Sequence, residues 1–405
     1  MEAEREQKRR GVDFTEGNIV AGLVRFSIPL MIGNLLQQFY NIADTLIVGR
    51  YIGKEALAAV GSAYTIMVFL TSVILGLCMG SSAFLSIQYG KKDREAFGCG
   101  NFMAFFLIGG FAVLLSAAVY MGMDAILVML QIPTEVYGMM RSYVTVTYGG
   151  ILATFIYNYF ASSLRAVGDS LIPLLFLGVS AVLNVVLDVL FVAVFHFGIS
   201  GAAAATVIAQ YVSGIGIWMY AWKKVPLLRF GRGQRCFRKD ILKSILSLSL
   251  LTSMQQSIMN FGILMVQGLV NSFGTAVMAA FAAAVKIDTL AYSPVQDFGN
   301  AFSTFVAQNH GVGKVERIRE GGKKAVLAVL VFGTAVSTLV VLFAGGLMRI
   351  FTTDAEIIGI GAFGYRGIWM SIPIGWAIAD AVGLYFLKRN FRLIRAGCGR
   401  REKRT

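Results

Sequence analysis

Ten stretches of the chain are apolar for long enough to cross a bilayer as helices, and short polar segments separate them. A hydrocarbon core needs about 20 apolar residues per helix. Runs near 20–48, 56–88, 97–121, 137–161, 171–195, 200–222, 241–270, 276–308, 323–348 and 366–388 meet that requirement. The second and eighth are long, which predicts tilting or projection beyond the bilayer. The fold class expected from this pattern is an all-α membrane protein.

The polar segments alternate in charge. Basic residues gather in the N-terminal tail and in every second loop: Lys91, Lys92 and Arg94; Arg165; the run from Lys223 to Lys243; Lys314 to Lys324; and the tail from Lys388 to Arg404. These segments hold 29 of the 36 Lys and Arg residues, with Arg50 and Lys54 the main exceptions in the intervening loops. The excess of cations on cytoplasmic loops therefore puts both termini in the cytoplasm, as an even helix count also requires. The net charge of +14 follows from this topology and calls for no nucleic-acid partner. The basic tail is suited to anionic membrane lipid.

An internal repeat organises the chain. IGKEALAAVG around Gly53 returns as FGTAVMAAFA around Gly274, 221 positions later. SSAFLSIQYGKKDREAF resembles AFSTFVAQNHGVGKVERI at nearly the same shift, and MLQIPTEV aligns with RIFTTDAE, Glu135 opposite Glu356. Both copies begin on the same side of the membrane, so the repeat is parallel. The register then breaks: FGISGAAAATVIAQYVSGIGIWMY resembles FGYRGIWMSIPIGWAIADAVGLYF at a shift of 166. The difference equals about two helices with their loops. The expected layout is a tail (1–18), a six-helix bundle (19–222), a basic linker (223–240), a shortened four-helix bundle (241–388) and a second basic tail (389–405).

Composition agrees with this picture. Apolar residues make up 57%, charged residues 14%, and mean hydropathy is +0.70, against about 25% charge in soluble domains. The 45 glycines suit close helix packing in lipid. The charged start has no apolar run ending in a cleavage site, so no signal peptide is expected. Cys78, Cys99, Cys236 and Cys398 form no CxxC pair, and their spacing suggests neither a disulfide frame nor a metal site. They read as small apolar fillers and loop thiols.

Ionisable groups inside membrane helices cost roughly 2.5–3.5 kcal/mol at a helix centre and mark functional candidates. Asp44 lies near the outer end of the first span, and Asp188 lies near the outer end of the fifth. Asn184, four residues before Asp188, shares its helix face. Thr206 falls about six residues into the sixth span. At about 1.5 Å per residue, Asp44, Asp188 and Thr206 sit at similar depth, roughly 9–12 Å from the outer rim. Two carboxyls, an amide and a hydroxyl at one level can hold H⁺ or Na⁺; the plainer alternative is a helix cap at Asp44 and a structural hydrogen bond at Asp188. Pro29 bends the first helix, either as a coupling hinge or as a static kink. Candidates for a substrate cavity are Gln37, Tyr40, Gln255, Asn260, Lys286, Asp288 and Asp297. The polar groups of the second bundle serve equally well as hydrogen bonds between helices. His196 and His310 read as loop or interface residues. No set of metal ligands, nucleophile or base appears, so the chain is not expected to be an enzyme or to carry a cofactor.

FTEGNIVAGLVRFSIPLMIGNLLQQFYNIADTLIVGRYIGKEALAAVG closely resembles the opening of bacterial multidrug and toxic compound extrusion (MATE) transporters. The likeness continues through LRAVGDSLIPLL, VLNVVLDVLF, AAFAAAVKIDTLAY, VQDFGNAFSTFVAQN and WMSIPIGWAIAD, over residues 14–390. The resemblance implies two bundles rocking about a central cavity in the bacterial inner membrane, exchanging H⁺ or Na⁺ for small organic, often cationic, compounds. It also implies a cation site at Asp44, Asn184, Asp188 and Thr206 and a bending proline at Pro29. The chain departs from the family where the counterparts of helices 10 and 11 are missing. Three readings follow: an exporter working as a monomer unless the shortened bundle pairs with another chain, its inactive descendant, or a flippase for lipid-linked saccharides. The few basic residues within the spans, Arg141 and Lys286, disfavour the last.

The topology has a direct test. Fluorescent-protein fusions at both termini should fluoresce, and alkaline phosphatase inserted between Arg50 and Lys54 should be active. Active phosphatase at either terminus would reverse the assignment.

Overall fold

The computed structural model describes residues 11–129, 134–231, 235–271, 275–351 and 359. Within these helices the description excludes the side chains at 54, 55, 57, 58, 61, 62 and 64–66, those at 262–271 and 275–288, and a few others. The described residues are helical, with no strand among them. They comprise α1 (Ile19–Tyr51), α2 (Lys54–Lys91), α3 (Arg94–Met129), α4 (Thr134–Tyr148), α5 (Ile151–Ala166), α6 (Leu171–Asp188), α7 (Gly198–Lys224), α8 (Lys239–Asn271), α9 (Thr275–Val312), α10 (Val315–Leu342) and α11 (Ala344–Phe351). The last predicted span, 366–388, and the register break beyond Glu356 lie outside the described residues. Among the described residues, six helical stretches are long and apolar enough to span a membrane by themselves: Ile19–Tyr51, Met67–Lys91, Arg94–Val128, Leu171–Val194, Gly198–Lys224 and Val315–Val340. Their outward faces carry large apolar side chains such as Leu46, Leu114, Met121 and Val182, as lipid-facing helices require.

Three predicted spans differ in detail. The run 137–161 is not one helix: it breaks at Gly149–Gly150, where both amides turn back to carbonyls three residues earlier. Hydropathy stays high across the break, so only the glycine pair marks it. The run 171–195 continues past Asp188 as a π-helical turn, Val189–Val194. The run 323–348 starts earlier than expected, at Val315, and is divided between α10 and α11.

Two compact units are distinguished: residues 1–267 with 290–336, and residues 268–289 with 337–405. In the first unit α1 packs along α6, α6 along α7, and α5 against both α7 and α2. An aromatic cluster of Phe105, Phe155, Tyr159, Phe160 and Phe230 fills the space between α3 and α5. Tyr159, fully buried, donates its hydroxyl to the Asn101 carbonyl oxygen, as a buried phenol in lipid must. Asn18 caps α1 by accepting from the amides of Val20 and Ala21.

Helices of the two repeat copies also meet within this unit. Ser249 and Ser253 of α8 donate to the carbonyls of Leu77 and Val73 on α2. Further along α2, Gly90 abuts the Gln308 carbonyl of α9, while Gly311 of α9 abuts the Ile87 carbonyl of α2. A β-carbon at either glycine would overlap backbone. This reciprocal contact explains two of the many glycines.

Cys99 and Cys236 correct the expectation of unpaired thiols. They form a disulfide, with Cα atoms 5.4 Å apart, joining the start of α3 to the linker that precedes α8. Their separation of 137 residues hid the pairing. Cys78 is free and buried; Cys398 lies outside the described residues. His196 and His310 are exposed, at a loop and a helix end.

Gly90→Val should lower thermal stability in detergent by about 1–3 kcal/mol through overpacking. Gly110→Ala, which meets nothing within 4 Å, should leave it unchanged or raise it. An unchanged melting temperature for Gly90→Val would contradict the contact.

Candidate functional site

The polar residues singled out in the first bundle come together where α1, α6 and α7 meet. Asp44 is 8% exposed, Asn184 2% and Asp188 0%. Asp44 reaches the site from α1, one turn beyond Tyr40. Asn184 and Asp188 project from the same face of α6, at the point where the α-helix gives way to the π turn. Such turns often occur at functional positions. The Asn184 amide nitrogen donates to the Thr206 hydroxyl of α7 at 3.2 Å. The Asp44 and Asp188 side chains are within hydrogen-bonding reach of each other. That bond needs a proton, because two carboxylates offer only acceptors.

The decisive feature is an imbalance of donors and acceptors. Among the described residues, Asp44 Oδ1, Asn184 Oδ1 and both Asp188 carboxylate oxygens are buried without a hydrogen-bond partner. Buried polar atoms are nearly always satisfied, and exceptions in a native structure require a reason. Here four orphan atoms belong to three neighbouring side chains, and all of them are acceptors. The set fits H⁺ or a hard cation such as Na⁺, which takes oxygen ligands. It does not fit an anion.

Sequence reasoning missed one neighbour. Tyr143 of α4 is buried, and its phenol stands close enough to Asp44 and Asp188 to feel their charge. A tyrosine in an apolar run has no distinctive spacing; its position two helical turns before the Gly149–Gly150 break is the only local sign.

The remaining candidates do not gather in this way. Pro29 lies inside α1, fifteen residues before Asp44. Gln37 is exposed on α1, and Gln255 is exposed on α8. Asn260 donates to the Gln256 carbonyl one turn earlier on its own helix. Asp297 is buried, and both its carboxylate oxygens accept from the Asn34 amide at 2.8 and 2.7 Å. It is therefore tied to α1. Lys286 and Asp288 have side chains outside the described residues. Arg141 is engaged by Asp124 at 2.7 Å, with both side chains more than half exposed. No group of three or more His, Cys, Asp or Glu that could hold a metal ion occurs among the described residues.

Residues 29–190 and 249–377 each match the MatE family model. The chain belongs to the MatE family. It is thus a multi-pass membrane transporter and not an enzyme. The two matched segments begin in register with the repeat found in the sequence. Among relatives of this MatE chain, the probable multidrug resistance protein YpnP of Bacillus subtilis (strain 168) is 30% identical over 355 residues, covering 87% of this chain and 79% of its own length. The probable multidrug resistance protein YoeA of the same organism is 27% identical over 344 residues, covering 83% and 74%. A MOP superfamily transporter from Pyrococcus furiosus Vc1 (DSM3638) superimposes with a TM-score of 0.86 at 23% identity, covering 95% of this chain and 99% of that one. At that identity the likeness speaks for the fold.

Supplying a cation removes much of the penalty for burying unpaired carboxylates. Purified protein should therefore melt at higher temperature on acidification or on addition of Na⁺, by up to about 2.7 kcal/mol at a ligand concentration 100-fold above Kd. The Asp44→Asn, Asp188→Asn double variant should lose this response. If the double variant responds as fully as the parent, the acids are not the site.

Proposed function

We propose that this transporter exports small organic, often cationic, compounds in exchange for H⁺ or Na⁺, by alternating access between its two bundles in a bacterial inner membrane, with both termini cytoplasmic. The four unpartnered acceptor oxygens at Asp44, Asn184 and Asp188 carry this reading. Thr206 completes the set as a hydroxyl whose lone pairs can turn toward a cation. Two acids this close titrate as one coupled pair. A cation bound between them joins α1 to α6; its departure leaves α1 held there by packing alone. Pro29 lies between this site and the start of α1. A change at Asp44 therefore acts on a helix already weakened at one turn.

The relatives named as probable multidrug resistance proteins support the substrate class. The organic compound binds between the bundles, and its release is coupled to cation entry at the outer side. The protein works as a monomer and needs no cofactor beyond the coupling ion. The 1–18, 19–222, 223–240, 241–388 and 389–405 division stands as the proposed domain plan.

A second reading has a specific observation in its favour. The second matched segment, 249–377, is shorter than the first, 29–190, in line with the break in repeat register. A second bundle lacking two helices loses part of a cavity wall, and the chain would then be a non-transporting descendant.

Reconstituted protein distinguishes the two. In liposomes with an imposed H⁺ or Na⁺ gradient, the exporter moves a fluorescent cationic dye and the descendant moves none. Asp44→Asn should abolish gradient-driven movement while inserting normally. Unimpaired transport by that variant would remove the coupling role from Asp44.

A further inference from the structure

Outside the candidate cation site, a polar network drawn from both repeat copies surrounds residues 12–17, the short segment that leads into α1. We propose that this segment is a cytoplasmic latch, keyed by Gln308, that holds the inward side of the transporter closed and must release before the cavity opens to the cytoplasm. The proposal rests on the alternating-access reading above.

The segment is held from both repeat copies at once. From the first copy, the Gly168 carbonyl accepts from the Val12 amide at 2.9 Å. From the second copy, four successive carbonyls of the segment are occupied. Asn309 Nδ2 and Arg317 Nε donate to Phe14 O at 2.9 and 3.1 Å. Lys314 Nζ donates to Thr15 O at 2.9 Å, and Arg317 Nη2 donates to Glu16 O and Gly17 O at 2.7 and 2.9 Å. The Phe14 ring, nearly fully buried, lies between Phe26 of α1 and Phe305 of α9, with centroids 5.2 and 5.9 Å away.

Gln308 joins these contacts. It is completely buried. Its Oε1 accepts from the Phe14 amide at 3.3 Å, and its Nε2 donates to Ala166 O, at the end of α5, at 3.0 Å. One amide of α9 therefore satisfies the segment with one end and the first bundle with the other. Its own carbonyl abuts Gly90, so α2 cannot separate from α9 here without exposing the amide. A tail that merely packed on its own bundle would need none of these second-copy donors.

The latch also explains the reversibility a gate requires. Arg317, Lys314 and the carbonyls they hold sit at the water-facing end, where water can replace each bond that breaks. Only Gln308, Asn309 and Phe14 are sealed, and they lose their seal together. Because residues 12–17 run straight into α1, their release reaches the helix that carries Pro29, Asn34 and Asp44. Asn34 ties the same helix to Asp297 of α9, so α1 is tethered to the second copy at two levels.

The test uses distance measurements in proteoliposomes. Spin labels are placed at Lys92→Cys, beyond α2, and Lys323→Cys, on α10, in a chain with Cys78, Cys99, Cys236 and Cys398 replaced by Ser. The parent should show one short distance. Gln308→Leu keeps the volume and loses both bonds; it should raise the ratio of a longer-distance population roughly tenfold, the loss expected for about one hydrogen bond. Arg317→Ala, a less buried change that leaves folding intact if Gln308→Leu does not, should act in the same direction. Variants that melt like the parent and keep its distance distribution would overturn the latch. Dye transport is measured on the same samples. Unchanged distances in a transporting protein refute the latch alone; a shifted distribution in a protein that never transports upholds the latch and refutes the exporter reading.

Discussion

Burial of acceptor oxygens without donors at the junction of α1, α6 and α7 is the constraint on which the rest depends. In hydrocarbon an unsatisfied polar atom costs several kcal/mol, and an unpaired carboxylate costs more. A protein could relieve this by turning Asp188 toward solvent or by replacing it with leucine. The fold instead keeps both acids covered, places an amide carbonyl beside them, and aims the Asn184 nitrogen at Thr206 and not at either acid. The deficit is of positive charge, so a bound cation is the natural complement. Its stabilising effect is available only while α1 lies against α6.

That dependence gives α1 its place in the mechanism. It touches the first bundle at Asp44 and the second copy at Asn34, and it is preceded by the segment that Gln308 and Arg317 hold. The attachments are of different kinds. On the proposed reading the one at Asp44 depends on a cation, while those at Asn34 and residues 12–17 are fixed hydrogen bonds between protein groups. Pro29, between residues 12–17 and Asn34, removes one helical hydrogen bond and lowers the resistance to bending. In the proposed mechanism, a helix fixed differently at its two ends, with a weakened turn at Pro29, passes a local change in charge to the opposite side of the membrane.

Much of this was legible in the sequence, for a physical reason: lipid punishes polar groups, so those that persist in apolar runs stand out. Asp44, Asn184, Asp188 and Thr206 were each visible this way, and helical rise alone placed three of them at one depth. The all-helical fold and the repeat were legible from hydropathy and from matching segments. Tyr143 was not, because a phenol is ordinary in a membrane helix and only the packing of separate helices brings it near Asp44 and Asp188. Asn34 with Asp297, and Cys99 with Cys236, were hidden by separations of 263 and 137 residues, over which no local pattern reports contact. The break at Gly149–Gly150 was masked by uniform hydropathy on either side, which measures burial in lipid and not continuity of the helix.

The Asn34–Asp297 bond shows how partnership, more than residue type, separates a binding group from a structural one. Asp297 and Asp188 are both buried acids on membrane helices, and composition alone would treat them alike. Asp297 has both oxygens engaged by one amide, whereas both oxygens of Asp188 have no partner. A substrate cation arriving at Asp297 would have to compete with a bond already made and would free α1 from α9 in doing so. At Asp188 it would displace no protein donor other than a proton shared with Asp44. Asp297 becomes free to bind a cation only once the Asn34 bond opens, so partnership and not burial sets the two acids apart.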